Sequence, residues 1–234
     1  MVDIHSHILP NVDDGSGSTE ESLALLELLA KQGVSVSVAT PHFYAVRHKL
    51  SEFLEKREKA ARQLAEARRG DLPAVRLGAE VSYFEGISRS SEITQLTVEG
   101  TELLLLEMPE APWPERTVGE VLRMNDEYGV IILLAHVERC LPFQKNRVVE
   151  RLLEGGVLMQ MNADSFLERS TRRFAVKMLK ERKVHMIGSD CHNMTSRRPR
   201  LDEAYAELRR RCGEDAAAWL VSVEDDFFAA EARI

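Results

Sequence analysis

MVDIHSHILPNVDDG, residues 1–15, sets an apolar run around two histidines two positions apart and ends on paired aspartates. Residues 2–7 read as a strand. Alternate residues of a strand share a face, so His5 and His7 project together near its end. Six further runs rich in valine, isoleucine and leucine follow at 34–42, 75–83, 102–108, 130–136, 157–163 and 184–190. Amphipathic stretches at 20–31, 50–69, 118–128, 148–153 and 166–181 lie between most of them, with 201–211 and 214–230 after the last. Capping-box spacing marks three helix starts, Ser18 to Glu21, Thr117 to Glu120 and Ser165 to Glu168, and Gly33, Gly70 and Gly155 mark helix ends.

Near-continuous apolar strands alternating with helices belong to a parallel sheet covered by helices. Seven such strands in 234 residues predict an α/β protein closed as a distorted seven-stranded (β/α)7 TIM-like barrel, one domain over 1–234. A doubly wound open sheet is the alternative. Residues 85–100 carry neither period, and ITQLTVEG (93–100) reads as a short hairpin.

The composition is that of an ordinary globular protein, and no apolar run approaches the roughly 18 residues of a membrane helix. Asp3 and His5 stand where a secretory signal carries basic and then apolar residues, so the expected location is cytoplasmic, without membrane insertion. Cys140, Cys191 and Cys212 are odd in number and lack CxxC spacing, which fits a reducing compartment. A net charge of −7 gives no electrostatic ground for a nucleic-acid partner.

Six of the seven runs end in metal-ligand types: His5 and His7, then His42, Glu80, Glu107, His136, and Asp190 with His192. In a parallel α/β barrel the C-terminal strand ends open onto one face, so groups dispersed along the chain meet there. With Asp14 the candidates number nine, four carboxylates and five histidines. That exceeds the demand of one ion and implies two or three, with a carboxylate such as Glu80 bridging. The donor set suits manganese, zinc or iron, and ions roughly 3.5–4 Å apart activate water for in-line displacement at phosphorus. The exception is the sixth run, VLMQMNADSF (157–166), which offers Gln160, Asn162 and Asp164 instead. His185 has the opposite parity to Asp190 and is expected to face the helices, and His48, beside Arg47 and Lys49, to be solvated.

DIHSHILPNVDDG, ATPHF, GAEV, LLLLEMP, LLAHVERC and IGSDCHN, in that order, resemble the motifs of the polymerase and histidinol phosphatase (PHP) superfamily. More narrowly they resemble the manganese-dependent protein-tyrosine phosphatases of bacterial capsule and exopolysaccharide operons. The likeness spans residues 1 to about 200 and itself implies a distorted seven-stranded barrel. It further implies that His5, His7, Glu80 and Asp190 hold a first ion. Glu80 then bridges to a second ion on Glu107 and His136, and Asp14, His42 and His192 hold a third. Glutamate at 107 matches the tyrosine-phosphatase branch, where wider relatives carry histidine. Asp13 competes with Asp14. Arg139 and Arg197 match phosphate-contacting arginines, with Arg198 competing for the second place.

The expected chemistry is attack by metal-activated hydroxide, with Arg139 and Arg197 neutralising the phosphoryl oxygens. Tyrosine leaves with a pKa near 10 and asks little of a general acid, a role open to His42 or a metal-bound water. The expected partner is the phosphotyrosine-bearing tail of a bacterial tyrosine kinase. A small phosphoester such as histidinol phosphate is a second substrate reading, and a non-catalytic metal-binding regulator a third. CHNMTSR (191–197) has the Cys-x5-Arg spacing of thiol phosphatases, yet it lacks glycine and follows the Asp190 that the metal reading requires.

Overall fold

Leu103 and Leu105 pack with one group of buried residues, while Leu104 and Leu106 pack with another, so the strand that carries them has two apolar faces. The computed structural model describes residues 1–228. The chain runs β1 (Val2–Ser6), α1 (Thr19–Lys31), β2 (Val36–Ala39), β3 (His42–Phe43), α2 (Leu50–Ala67), β4 (Ala74–Leu77) and β5 (Glu80–Ser82). It continues with β6 (Leu103–Glu107), α3 (Glu115–Tyr128), β7 (Ile131–Leu134), α4 (Val137–Cys140), α5 (Asn146–Glu154) and β8 (Leu158–Asn162). The last elements are α6 (Asp164–Leu167), α7 (Arg172–Lys180), β9 (Met186–Gly188), α8 (Leu201–Cys212) and α9 (Glu214–Phe228).

Every strand pair is parallel, in the orders β1-β2-β4 and β3-β5-β6-β7-β8-β9. The architecture is therefore a curled parallel sheet under helices, but among the described residues the expected seven strands are nine, because runs 34–42 and 75–83 are each cut in two. Pro41 has no N–H to donate and interrupts the second run. The interrupted ladder is carried across by Gly78 N–H to Ala39 O (2.9 Å) and Glu80 N–H to Pro41 O (3.1 Å). The hairpin expected at 93–100 does not form. Residues 91–96 make a 3-10 helix, and the next residues wedge between β4 and β6, Glu99 N–H donating to Leu77 O and Val98 N–H to Leu103 O, both 2.7 Å.

The inner face collects Val2, Ile4, Val36, Val38, Leu105, Leu133 and Met186, and α9 covers its lower end with Phe228. Glu224 of α9 ties that lid down, accepting from Val2 N–H (2.9 Å) and the Tyr205 hydroxyl (2.8 Å). The expected helix at 214–230 ends, for its last two residues, outside the described part. Only the first capping box holds, Glu21 N–H donating to Ser18 Oγ at 3.2 Å. Thr117 lies inside α3, where it and Glu120 take the Tyr83 hydroxyl at 3.2 and 2.7 Å. Ser165 lies inside α6, and the run 166–181 splits because Arg172 Nε takes the Phe166 carbonyl (2.9 Å). Gly155 caps the C-terminus of α5 as expected, and the glycine in left-handed conformation is the next one, Gly156.

β1 and β9 meet through a parallel bridge, Ser6 to Cys191, flanked by Asp190 N–H to His5 O (2.8 Å) and His7 N–H to Cys191 O (2.9 Å). Gly188 makes the approach possible: a Cβ there would lie 2.6 Å from His5 Cβ. Gly188→Ala is expected to cost about 1–3 kcal/mol as an overpacked core does, and Leu133→Ala about 2–5 kcal/mol through its cavity, both read as shifts of the urea unfolding midpoint.

Candidate metal centre

Strand parity brings the ligand types to one end of the inner face. Leu103, Leu105 and Glu107 share a side of β6, so the carboxylate continues the inner row. In β1 the inner residues are Val2 and Ile4, of the wrong parity for His5 and His7. The register against β2 shifts between Asp3 and Ser6, and this irregularity turns both histidines inward. His136 follows the inward Ala135, and a left-handed backbone (φ 30°) turns it into the mouth, while Asp190 also sits at positive φ (51°). Both are non-glycine residues in a costly conformation held by their surroundings, as functional positions often are.

Glu80 is the centre of the cluster. It is fully buried, with Oε1 2.7 Å from His136 Nε2, and Oε2 3.3 Å from His5 Nε2, 3.4 Å from His7 Nε2 and 2.9 Å from His42 Nδ1. Asp190 Oδ1 lies 3.6 and 3.4 Å from the same two nitrogens of His5 and His7. Glu107 approaches His136 (3.6 Å), and Asp14 Oδ1 stands 3.5 Å from both His42 Nε2 and His192 Nε2. Three overlapping sets of donors can therefore close on a cation: His5, His7 and Asp190; His42, Glu80 and Glu107; and His7, Asp14, His42 and His192. All nine sequence candidates meet here.

The donor chemistry fits cations. Burial opposes charge on Glu80 and Asp190, but His5 and the neighbouring imidazoles outweigh it and hold both carboxyls well below the usual range. Glu107 is pushed up by burial and by the Glu80 charge. His192 falls to about 4 through burial and the positive charge of His7 and Arg197, so its ring is neutral near pH 7. Its Nδ1 donates to Asp190 O at 3.1 Å, leaving a buried Nε2 lone pair without a hydrogen-bond partner. His42 Nδ1 is likewise buried and unbonded, its 2.9 Å approach to Glu80 being out of line. Lone pairs aimed into a carboxylate cluster are what a metal site requires.

The two aspartates are placed differently. Asp13 points away from the cluster, receiving His7 Nδ1 at 2.7 Å and the amides of His42 and Gly15 at 2.9 Å each, whereas Asp14 faces the rings of His42 and His192. Arg139 Nη2 reaches Asp190 Oδ2 at 2.7 Å and Arg197 Nη2 reaches Oδ1 at 2.8 Å, while Arg198 turns to Glu203 (3.5 Å). All three arginines line a cavity of about 260 Å³ beside Asp190, but only Arg139 and Arg197 reach the Asp190 carboxylate. Two residues that the strand-end reading passed over, Gln160 and Asn162, hold the cluster from behind, with Gln160 Oε1 3.2 Å from His5 Nδ1. Their strand position and inward parity with the other runs were the available signal.

The Cys191 thiol is buried among the outer apolar residues, and burial raises its pKa, which disfavours the thiolate that a nucleophile needs. His185 packs on Trp219 and accepts from Met159 N–H (3.1 Å), as its parity implies. His48 is half-buried against Phe43 and Phe53 and accepts from Tyr44 N–H (3.2 Å), and so is not simply solvated. Three large apolar side chains stay exposed on loops after mouth-forming strands: Val46 (86%), Phe143 (49%) and Met194 (38%). Among the described residues no helix is long and apolar enough to cross a membrane.

Similarity to known proteins agrees with this geometry. Tyrosine-protein phosphatase CpsB of Streptococcus agalactiae is 32% identical over 93% of each chain, and tyrosine-protein phosphatase YwqE of Bacillus subtilis 27% identical over 92% of this chain and 86% of its own. A chain from the crystal structures of YwqE and of CpsB from Streptococcus pneumoniae, metal-dependent tyrosine phosphatases, superposes with a TM-score of 0.83 at 24% identity, covering 96% of this chain and 93% of that one. Histidinol phosphate phosphatase of Lactococcus lactis, solved with zinc, L-histidinol and phosphate, shares the fold at a TM-score of 0.58 and 13% identity over 92% and 93%. The model of the capsular polysaccharide synthesis family CpsB/CapC matches residues 1–225, and the chain belongs to that family.

Proposed function

We propose that the chain is a metal-dependent protein-tyrosine phosphatase, one domain over 1–234, acting in the cytoplasm on the phosphotyrosine tail of a bacterial tyrosine kinase of capsule or exopolysaccharide synthesis. The observation that carries this reading is the burial of Glu80 among four imidazoles, with ring nitrogens of His42 and His192 buried without hydrogen bonds and two arginines beside Asp190. Membership of a family whose curated relatives are named tyrosine-protein phosphatases supports it. The scaffold is read as a distorted seven-position barrel, in which β2 with β3, and β4 with β5, each fill one position.

Two or three divalent ions fit the donor set, manganese foremost, with zinc or iron suited to the same ligands. His5, His7, Glu80 and Asp190 would hold one, Glu80, Glu107 and His136 a second, and Asp14, His42 and His192 a third. When bound, such ions supply Lewis acidity toward phosphoryl oxygens and an activated water. Arg139 and Arg197 stand where they neutralise negative charge developing on the transferred phosphoryl group. His42 belongs to two of the donor groups that can close on a cation, which supports a ligand's role for it. A phenolate leaving group, with its pKa near 10, departs without a dedicated acid. The exposed Val46, Phe143 and Met194 suit a polypeptide flanking the phosphorylated residue better than a small, fully polar phosphoester.

Metal analysis of the purified protein should find more than one divalent ion per chain, and dialysis against EDTA should abolish hydrolysis of a phosphotyrosine peptide until Mn²⁺ is restored. Metal content below one ion per chain would favour the non-catalytic regulator. Cys191→Ser should keep full activity, and loss there together with indifference to EDTA would reverse the assignment of mechanism. Arg139→Ala should lose about 10²–10³-fold in kcat with metal content unchanged, as the removal of one preorganised donor to a developing anion does. Comparison of kcat/KM should favour the phosphotyrosine peptide over histidinol phosphate by about tenfold or more, and the opposite preference would transfer the assignment to small phosphoesters.

A further inference from the structure

β8 contributes no ligand to the cluster, yet its Gln160 and Asn162 are buried directly behind it. Gln160 Oε1 accepts from His136 N–H at 2.6 Å and lies 3.2 Å from His5 Nδ1. Gln160 Nε2 donates to Asn162 Oδ1 at 2.9 Å, and Asn162 Nδ2 donates to Asp190 Oδ2 at 2.8 Å, the oxygen that also takes Arg139 Nη2 at 2.7 Å. The two ends fix every orientation between them. A backbone N–H can only donate, so the amide oxygen of Gln160 must face His136. A carboxylate can only accept, so the amide nitrogen of Asn162 must face Asp190. With the Gln160 oxygen so placed, His5 carries a proton on Nδ1, which leaves Nε2, the nitrogen facing Glu80 and His7, as the one that can bind a cation.

We infer that Gln160 and Asn162 are positioning residues: a head-to-tail amide relay that sets the His5 tautomer for metal binding and locks Asp190, and through it Arg139, in one orientation. The inference rests on the metal-site reading above. His7 is served differently, by the Asp13 carboxylate on its Nδ1. A second carboxylate at 160 would still accept from His5 and His136, but it has no N–H for Asn162 and would add charge to an interior already holding Glu80 and Asp190. The neutral amide satisfies both histidines and passes a donor forward, and such chains polarise cooperatively in a dry interior. Outer partners of metal-bound histidines typically govern 10–100-fold in affinity.

The test compares Gln160→Leu, Gln160→Glu and Asn162→Leu with the parent, each first confirmed as folded by circular dichroism. Mn²⁺ affinity is measured by titration calorimetry, and the His5 tautomer by long-range ¹⁵N–¹H spectra of metal-free protein labelled at histidine, recorded at a pH where the ring is neutral. Gln160→Leu should weaken Mn²⁺ about 10–100-fold and remove the Nδ1–H signature of His5, while Gln160→Glu, which keeps the acceptor, retains that signature. Asn162→Leu should leave the His5 tautomer intact and raise the inhibition constant for inorganic phosphate, because Asp190 and Arg139 lose their shared anchor. An unchanged His5 tautomer and unchanged Mn²⁺ affinity in Gln160→Leu would overturn the relay while leaving the metal reading standing. A parent that shows the tautomer but binds no Mn²⁺ would instead overturn the metal reading, and with it the relay's role in metal binding.

Discussion

A carboxylate buried at the centre of a protein must be answered by positive charge or hydrogen bonds, and Glu80 is answered by four imidazoles at once. Those imidazoles come from β1, β3 and the turn after β7, and each must arrive within about an ångström of its place. That requirement explains features that would otherwise be odd for a stable sheet: the register shift in β1, the interruption at Pro41, and left-handed backbone at His136 and Asp190. The rigid apolar interior beneath, from Val2 to Met186, makes these departures tolerable.

The junction of β1 with β9 is the second demand. His5 and His7 on one side and Asp190 and His192 on the other belong to the two ends of the chain's strand sequence, and only their pairing completes the cluster. Gly188 leaves room for His5, and Asp3 seals the outer side by accepting from Ser189 N–H (2.8 Å) and Ser189 Oγ (2.6 Å). Burial raises the Asp3 carboxyl to about 6 despite those bonds, the mark of an acid kept for its hydrogen bonds in an apolar setting. The same junction buries Cys191, so a spacing that reads as a thiol nucleophile is in fact a strand residue packed outward.

Outer-shell partners divide the cluster into unlike halves. His7 is oriented by a carboxylate and His5 by an amide, while His192 is oriented by a main-chain carbonyl. Three different partners yield three different ligand basicities within a few ångströms. The arginines share in this, because Asp190 serves the imidazoles through one oxygen and Arg139 with Asn162 through the other.

The sequence by itself determined the parallel α/β class, the amphipathic helices and all nine groups that converge, because strand periodicity is local and the C-terminal ends of parallel strands share one face. It also settled the outward parity of His185. Only the tertiary structure shows that Asp14 and not Asp13 faces the rings of His42 and His192, and that Arg197 and not Arg198 reaches Asp190, since adjacent residues differ in nothing but the partner that each can reach. It alone divided two strands, replaced a hairpin with the wedge at Val98 and Glu99, and brought Gln160 behind His5. Those outcomes depend on contacts between residues far apart in the chain, where backbone donors, carbonyls and close-packed volumes compete, and no local pattern records which of them prevails.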